Sequence, residues 1–185
     1  MTQPLITSHE QLGDYLKRGG RVKYLFFWGH QPERDGSVGK SCFSQWFAAP
    51  FEIDGIRYPT AEHYMMAEKA RLFGDQAVLA QVLSAKTPAA AKALGRKVQN
   101  FDETKWLAQR FEVVVAANAA KFAQNPAMKA FLLGTGDKIL VEASPVDRIW
   151  GIGLAADHPN AEHPAKWQGL NLLGFALMQV RSTLA

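Results

Sequence analysis

The order of apolar and polar positions along the chain predicts mostly helices joined by short loops. Apolar residues recur at helical spacing, and capping residues, Gly or Pro mark most of the ends. Predicted helices cover residues 8–18, 60–73, 75–84, a short segment that opens at Thr87-Pro88, 103–122, 126–133 and 170–184. The pattern predicts a mainly α fold, a single compact domain of about seven helices with a few short β-strands.

Strand signals occur in three places. Residues 22–28 are rich in aromatic and branched side chains, and residues 139–143 form a second short apolar run. Asp54-Gly55 lies between two short alternating runs within residues 51–58, which predicts a hairpin with a two-residue turn. The stretch 144–168 is rich in Gly, Pro, Asn and Asp, so most of it is predicted to be loop.

Composition limits the class of protein. The chain has 185 residues, 48% of them hydrophobic, which suits one domain with a full core. No apolar run is long enough for a membrane span, and the first residues lack the basic and apolar blocks of a signal peptide. Cys42 is the single cysteine, so we expect no disulfide, no zinc thiolate cluster and a cytoplasmic location. The net charge of +4 suits anionic small molecules, and nucleic acid is a weaker alternative.

The predicted helix that follows Tyr58-Pro59 carries the first candidate chemistry. Thr60 is its expected N-cap, and Glu62, Met66, Lys69 and Phe73 share one face. A carboxylate and an ammonium beside apolar side chains are typical of a polar pocket. The alternative is that the helix dipole favours Glu62 and that Lys69 reaches solvent.

Two glycine-rich stretches resemble nucleotide motifs without meeting them. Lys40-Ser41 ends like a phosphate-binding loop, but Arg34 stands where that motif needs Gly. Gly151 and Gly153 fit a loose dinucleotide fingerprint, but Pro159 follows too soon for a long helix. We predict that these glycines serve a tight turn or a close approach of the backbone to a ligand.

Metal and thiol chemistry have little support in the sequence. His158 and His163 lie five residues apart in a predicted loop, and no clear third ligand accompanies them. Nothing near Cys42 in the sequence would lower the pKa of its thiol, so packing is its expected role. We predict no metal and no organic cofactor.

The loop 144–154 is the second candidate region. Asp147, Arg148 and Trp150 precede Gly151 and Gly153, a combination typical of a ligand-binding wall. The alternative is equally open: Asp147 caps a turn and Trp150 fills the core.

Several ordered motifs resemble the NADAR family, the YbiA-like proteins. The matching residues are Tyr58-Pro59-Thr60-Ala61-Glu62-His63-Tyr64-Met65-Met66-Ala67 with Lys69, Leu94-Gly95-Arg96, Asn118, Lys121-Phe122, Gln124, Leu140-Val141-Glu142-Ala143-Ser144, Asp147, Trp150-Gly151-Ile152-Gly153, Asn171-Leu172-Leu173-Gly174, Leu177-Met178 and Arg181. The resemblance covers about residues 24–181. We therefore predict a NADAR-like domain over residues 21–185 and an N-terminal helical segment, residues 1–20, outside it. Some relatives carry an acidic residue where this chain has Ile152.

The resemblance implies a mainly α fold and an N-glycosidase, a hydrolase of N-glycosyl bonds. The expected substrate is an early riboflavin-pathway intermediate, in which a phosphoribosyl group is joined to an aminopyrimidine. The products would be ribose 5-phosphate and the free pyrimidine. One alternative is removal of ADP-ribose from guanine in nucleic acid, as other members of the family do. Another is a non-catalytic module that binds NAD or ADP-ribose.

Glu62, Asp147 and Lys69 are the predicted catalytic residues. Glycosidases commonly use two carboxyl groups in different environments. Glu62 would stabilise the cationic sugar or activate water, and Asp147 would bind ribose hydroxyls or carry a proton. Lys69 either forms a Schiff base with the opened sugar, if burial or a nearby cation frees its amine, or orients Glu62.

The remaining predictions concern substrate binding. Arg96, Arg148 and Lys121 are expected to bind the 5′-phosphate, and Trp46 and Trp150 to stack on the pyrimidine. Trp106 lies inside a helix pattern and is predicted to be a core residue instead. The predicted substrate-binding residues are Trp46, His63, Arg96, Lys121, Arg148, Trp150 and Gly151. The sequence leaves the oligomeric state open.

Overall fold

The structure is a computed structural model that describes residues 4–185. The prediction that the chain starts without a signal peptide concerns in part residues 1–3, which lie outside the described residues. Within residues 4–185 there are seven α-helices: α1 (His9–Lys17), α2 (Ala61–Leu72), α3 (Gln76–Ser84), α4 (Pro88–Gly95), α5 (Glu103–Ala123), α6 (Pro126–Leu133) and α7 (Leu172–Leu184). Four short strands accompany them: β1 (Tyr24–Phe27), β2 (Phe51–Ile53), β3 (Ile56–Tyr58) and β4 (Ile139–Glu142). The predicted mainly α class is confirmed.

The chain divides into two compact units, which are described separately. The first unit contains residues 4–44 and 127–185, and the second contains residues 45–126. Two short 3-10 helices, Lys40–Phe43 and Pro164–Lys166, also lie in the first unit. Sequence patterns did not predict either of them.

A two-stranded parallel sheet organises the first unit. β1 pairs with β4 from Tyr24–Ile139 to Phe27–Glu142. The side chain of Asn171 extends the sheet, because Nδ2 donates to the Leu140 carbonyl at 2.9 Å and Oδ1 accepts from the Glu142 N–H at 2.9 Å. Its left-handed φ of 54° turns the chain directly into α7. The buried amide thereby takes the place of a third strand beside β4.

Helix α1 packs onto the segment that contains the second 3-10 helix. The His9 ring stacks on Trp167 with centroids 5.4 Å apart. Nε2 of His9 donates to the Pro164 carbonyl at 2.8 Å, and Trp167 Nε1 donates to the Ala161 carbonyl at 2.8 Å. Ser8 caps the helix by accepting from the Gln11 N–H, as the sequence predicts.

The second unit packs α3, α4 and α5 around α2. Every residue of α2 from Ala61 to Ala67 is buried. The hairpin β2–β3 precedes this helix, with Asp54 and Gly55 both in left-handed conformations at φ of 51° and 74°. Two positive φ angles define the primed turn that suits a two-residue hairpin, so the sequence prediction is confirmed. The hairpin delivers the chain to Pro59 and the start of α2.

Candidate functional site

The start of α2 places a carboxylate in the interior of the second unit. Thr60 caps the helix, and its hydroxyl oxygen accepts from the His63 N–H at 3.4 Å. Glu62, two residues after Thr60, is only 3% exposed, and its N–H donates to the Gln45 carbonyl at 3.0 Å. A carboxyl group withdrawn from water in a first helical turn is a candidate for acid–base chemistry.

Gln45 joins α2 to α5 through buried polar groups. Its carbonyl accepts from Glu62, and its side-chain Oε1 accepts from Nδ2 of Asn118 at 2.8 Å. Lys121 lies one turn after Asn118 and is fully buried. The Lys121 ammonium lies 5.9 Å from the Phe47 ring centroid. Gln45 and Asn118 were not predicted to have a role from the sequence, although Asn118 belongs to the family pattern.

His63 is held by protein groups at both ring nitrogens. Nδ1 lies 2.8 Å from the Thr60 hydroxyl, and Nε2 lies 3.0 Å from the Ala85 carbonyl. A carbonyl only accepts, so Nε2 donates to the Ala85 carbonyl, and Nδ1 of the neutral ring accepts a hydrogen bond from the Thr60 hydroxyl. Burial lowers the pKa of His63, which favours the neutral form. The geometry supports a positioning role; substrate binding by His63 stays a prediction.

Lys69 lies two turns after Glu62, in a partly exposed aromatic corner. Its ammonium is 4.4 Å from the Phe101 ring centroid and 5.8 Å from that of Trp106. Burial lowers the pKa of Lys69, and the nearby Arg96 guanidinium lowers it further. Burial and a nearby cation, the two features expected to favour the unprotonated amine, are therefore both present at Lys69.

The charge-partner alternative for Lys69 has less support. Within residues 4–185, Lys69 forms no ion pair with Glu62. Their separation of seven residues corresponds to a rise of about 10 Å along the helix.

Trp106 is half-buried beside Lys69, so its predicted place in the core is wrong: the helix face that carries it is only partly covered.

The other predicted binding residues of the second unit have different surroundings. Arg96 is exposed at the C-terminal end of α4, near enough to Lys69 to affect its pKa. Trp46 is half-buried, with the Lys92 ammonium 5.7 Å from its ring centroid. Both are accessible to a ligand, whereas Lys121 is enclosed by α5 and its neighbours.

Asp147 organises its loop in the first unit. Oδ1 accepts from the N–H groups of Ile149 at 2.8 Å and Trp150 at 2.7 Å, and the Asp147 N–H donates to Ser144 Oγ at 3.1 Å. This is the turn-capping role that the sequence left as an alternative. Oδ2 takes part in no hydrogen bond within the described part of the chain and is the oxygen available to a ligand.

The rest of the loop is built on close backbone contacts. A Cβ on Gly151 would lie 2.8 Å from the Glu142 carbonyl oxygen, and Gly153 has a φ of +68°. The glycines therefore serve a tight turn packed against β4, and no long helix follows them, as predicted. Trp150 is half-buried, and the exposed Arg148 donates to Gln168 Oε1 at 3.1 Å.

A cleft of about 400 Å³ opens in the first unit where β1 and β4 end. Its lining includes Phe27, Trp28 and Ala143 together with Lys40 and Ser41. A larger cavity of about 810 Å³ in the same unit is lined by Met178 and Arg181, among others. No predicted site residue lines either cavity.

The structure thus groups the predicted site residues by unit. Glu62, His63 and Lys69 share α2, with Arg96 beside Lys69, whereas Asp147 and Trp150 share one loop of the first unit. The predicted meeting of Glu62 and Asp147 at one ribose stays a prediction. No group of three or more His, Cys, Asp or Glu residues is placed to hold a metal ion within residues 4–185.

None of the helices within residues 4–185 is both long enough and apolar enough to cross a membrane.

Comparison with known proteins adds a consistent set of similarities. The family model described as NADAR domain matches residues 26–185. N-glycosidase R617 of Acanthamoeba polyphaga mimivirus is 43% identical over 164 residues, which cover 86% of this chain and 95% of that protein. N-glycosidase YbiA of Escherichia coli (strain K12) is 32% identical over 143 residues, covering 77% and 81%. The NMR structure of the E. coli protein YbiA matches with a TM-score of 0.68 at 29% identity, over 89% of this chain and 86% of that one.

Proposed function

The chain belongs to the NADAR family and is a hydrolase of N-glycosyl bonds, and from this premise we propose its substrate. It cleaves the C1–N bond between a phosphoribosyl group and an aminopyrimidine of the kind formed early in riboflavin biosynthesis. Ribose 5-phosphate and the free aminopyrimidine are the products. The observation that carries this proposal is the pairing, on one helix, of buried Glu62 with an amine, Lys69, whose pKa is lowered.

Glu62 and Lys69 lie on one face of α2, with a rise of about 10 Å between them along the helix. We propose that both side chains reach the sugar, Lys69 at C1 and Glu62 near it. Cleavage of an N-glycosyl bond builds positive charge at C1, which a carboxylate stabilises. The departing nitrogen takes a proton and leaves as the neutral aminopyrimidine.

Lys69 supplies a covalent route that balances without a redox partner. The riboside opens when the bond from C1 to the ring oxygen breaks. The ring oxygen takes up a proton and becomes a hydroxyl group on C4, and C1 becomes part of an iminium. The Lys69 amine adds to C1, the aminopyrimidine leaves with a proton, and a lysine imine remains. Water then adds to C1 and releases the aldehyde form of ribose 5-phosphate together with the free amine. The lowered pKa of Lys69 supports this route, because only the unprotonated amine can add.

The remaining groups are proposed to bind substrate. Arg96, beside Lys69, is the first choice for the 5′-phosphate, and Arg148 is a further choice. Lys121, also predicted from the sequence, is fully buried and is therefore not proposed to bind it. Trp46 and Trp150, both half-buried, are proposed to stack on the pyrimidine. Asp147 offers Oδ2 to ribose hydroxyls while Oδ1 holds the loop.

A substrate comparison tests the proposal. Wild type and Glu62→Gln are each incubated with a phosphoribosylaminopyrimidine and with an oligonucleotide that carries ADP-ribosylated guanine, and products are measured by mass spectrometry. We expect wild type to release ribose 5-phosphate from the first substrate and Glu62→Gln to be at least about 100-fold slower. Faster cleavage of the oligonucleotide would replace the proposed substrate with ADP-ribosylated guanine. Binding of ADP-ribose with no cleavage of either compound would indicate a binding module.

Borohydride trapping tests the covalent step. Reduction during turnover should fix a pentose phosphate adduct on Lys69, detectable by peptide mass. Lys86 is exposed in the same unit, so Lys86→Ala is the matched control and should trap as well as wild type. Full activity of Lys69→Ala would exclude the covalent role and leave direct attack by water.

A further inference from the structure

The cleft of about 400 Å³ in the first unit carries a combination of side chains that the predicted site does not use. It lies at the ends of two parallel strands, because Phe27 is the last residue of β1 and Ala143 follows β4. The Ala143 N–H donates to the Phe27 carbonyl at 2.9 Å, which fixes the two strand ends beside each other. The cleft therefore has a rigid floor.

One wall of the cleft presents an exposed indole. Trp28 lines it and is 60% exposed, although the residue before it, Phe27, is buried at 3%. A tryptophan left in water at the edge of a cleft offers a large flat apolar face. Such a face suits stacking on a heteroaromatic ring, as in base stacking on aromatic side chains.

Two polar lining residues that are adjacent in the chain suit an anion. Lys40 is exposed and forms no ion pair within residues 4–185. The hydroxyl oxygen of Ser41 is buried and has no hydrogen-bond partner in the described structure. Lys40 and Ser41 are adjacent in the chain and both line the cleft, and lysine ammonium and serine hydroxyl groups bind phosphate oxygens.

Glu33 gives the cleft a third chemical feature. Its side chain lies against Gly39, where a Cβ would come within about 2–3 Å of it, and it lines the same cleft. A carboxylate accepts hydrogen bonds from amino or hydroxyl groups and repels phosphate. The lining therefore offers an aromatic face, a cation with a hydroxyl and a carboxylate, which match a ligand that has a ring, an anionic group and amino or hydroxyl donors.

We propose that this cleft binds a phosphorylated aminopyrimidine riboside, with the ring on Trp28, the phosphate on Lys40 and Ser41, and amino or hydroxyl donors on Glu33. The inference rests on the proposed function for the chemical class of the ligand, and it adds a second binding site for that class, because no predicted site residue lines the cleft. The volume lies near the lower end of the range of about 300–1,000 Å³ for small-molecule sites, which suits one nucleotide better than two.

Calorimetry with three stable probes tests the site. Cytidine 5′-monophosphate carries an aminopyrimidine, ribose and phosphate, cytidine lacks the phosphate, and ribose 5-phosphate lacks the ring. We expect Lys40→Gln to weaken the nucleotide about tenfold and to leave cytidine unchanged. Trp28→Ala should weaken the nucleotide and cytidine about tenfold and leave ribose 5-phosphate unchanged.

Conservative and distant variants are the controls. Lys40→Arg and Trp28→Phe should keep most of the affinity. Lys166 is exposed elsewhere in the first unit, so Lys166→Gln should bind like wild type. Both altered side chains are exposed, so the variants should fold, which thermal denaturation checks.

The outcomes separate this site from the proposed function. Nucleotide affinities within twofold of wild type in both Lys40→Gln and Trp28→Ala would overturn the site, even if hydrolysis proceeds as proposed. The site would be supported if Lys40→Gln loses affinity for the nucleotide but not for cytidine, and Trp28→Ala loses affinity for both but not for ribose 5-phosphate. This holds even if the phosphoribosylaminopyrimidine is not cleaved and the proposed reaction is rejected.

Discussion

Gln45 and Asn118 form a buried side-chain pair, in which Asn118 Nδ2 donates to Gln45 Oε1 at 2.8 Å. The same Nδ2 donates to the Val114 carbonyl at 2.8 Å, so both protons of the amide are used. The Gln45 carbonyl in turn accepts from the N–H of Glu62. The pair therefore fixes the segment that holds the start of α2, and with it the backbone of Glu62.

We expect Asn118→Ala to destabilise the protein by about 1–3 kcal/mol, because it leaves a buried Gln45 oxygen without its donor. Urea denaturation measures the effect. A double-mutant cycle with Gln45→Ala should give a coupling energy well above the additive limit of about 0.5 kcal/mol. Additive losses would show that the hydrogen bond contributes little to stability.

Arg96 should set the pH range in which Lys69 reacts. Burial and the Arg96 cation both lower the pKa of Lys69. Since the unprotonated amine is the nucleophile, kcat/KM should rise with pH through that pKa. Arg96→Gln removes the second cause, so the midpoint of the rise should move to higher pH.

Lys97 provides the control for this profile. It is exposed and next to Arg96 in sequence, but of these two cations only Arg96 contributes to the lowered pKa of Lys69. Lys97→Gln should therefore leave the midpoint where it is in wild type. An unchanged midpoint in Arg96→Gln would contradict the proposed coupling.

His63 should make stability depend on pH below neutrality. Its pKa in the folded protein lies below its ordinary value of 6.5, because burial disfavours the cation. Between the two values the unfolded chain binds more protons, so stability rises with pH there and is highest above about 6.5. As the pH falls from 6.5 towards the folded pKa, this stability should be lost.

The measurement is the free energy of unfolding from pH 5 to pH 8. His63→Phe should remove the pH dependence due to His63 and cost about 1–3 kcal/mol at pH 7, because the Thr60 hydroxyl proton and the Ala85 carbonyl lose their partners on the ring. His163→Gln, at an exposed position, should keep the wild-type profile. A profile in His63→Phe that matches wild type would assign the dependence to other groups.

Local signals explain how much of the fold was predictable. Thr60 and Thr87 each cap the helix that they were predicted to begin, because capping needs only neighbouring residues. Asp54-Gly55 set the hairpin in the same way. These predictions required no knowledge of the packing.

Boundaries set by distant contacts were less accurate. The predicted strand 22–28 is shorter in the structure, Tyr24–Phe27, because its partner β4 has only four residues. The last helix begins at Leu172 rather than at residue 170. The N–H of Leu170 is bound to the Arg148 carbonyl and Asn171 adopts a left-handed φ, so neither residue can join the helix.

The candidate site shows the same division. The sequence placed Glu62 and Lys69 on one helix face, but the aromatic corner of Phe101 and Trp106 around Lys69 depends on how α5 and the segment before it pack. Gln45 was overlooked because no local pattern distinguishes a buried amide from a surface one. The Gly39-Lys40-Ser41 fragment was the only early signal for the cleft in the first unit.

Gly174 should be essential for seating α7 on β4. A Cβ at this position would lie 2.0 Å from the Leu140 carbonyl oxygen, a backbone atom that cannot rotate away. We expect Gly174→Ala to destabilise the protein by about 1–3 kcal/mol or more, as overpacking does. Gly13 lies in α1 with no neighbour near its would-be Cβ, so Gly13→Ala should stabilise by about 0.5–1 kcal/mol. Equal effects of the two variants in thermal denaturation would contradict this account.

Asp147 combines a structural and a proposed chemical role, and two substitutions can separate them. Asp147→Asn keeps an oxygen that accepts from the Ile149 and Trp150 N–H groups, so the loop and the melting temperature should be nearly unchanged. Asp147→Ala loses both hydrogen bonds and should cost about 1–3 kcal/mol of stability. If the carboxylate binds the ribose or carries a proton, both variants should lose about 100-fold or more in kcat/KM. An Asn variant with wild-type activity would show that Asp147 acts only through the turn, because the amide reproduces the turn but not the charge.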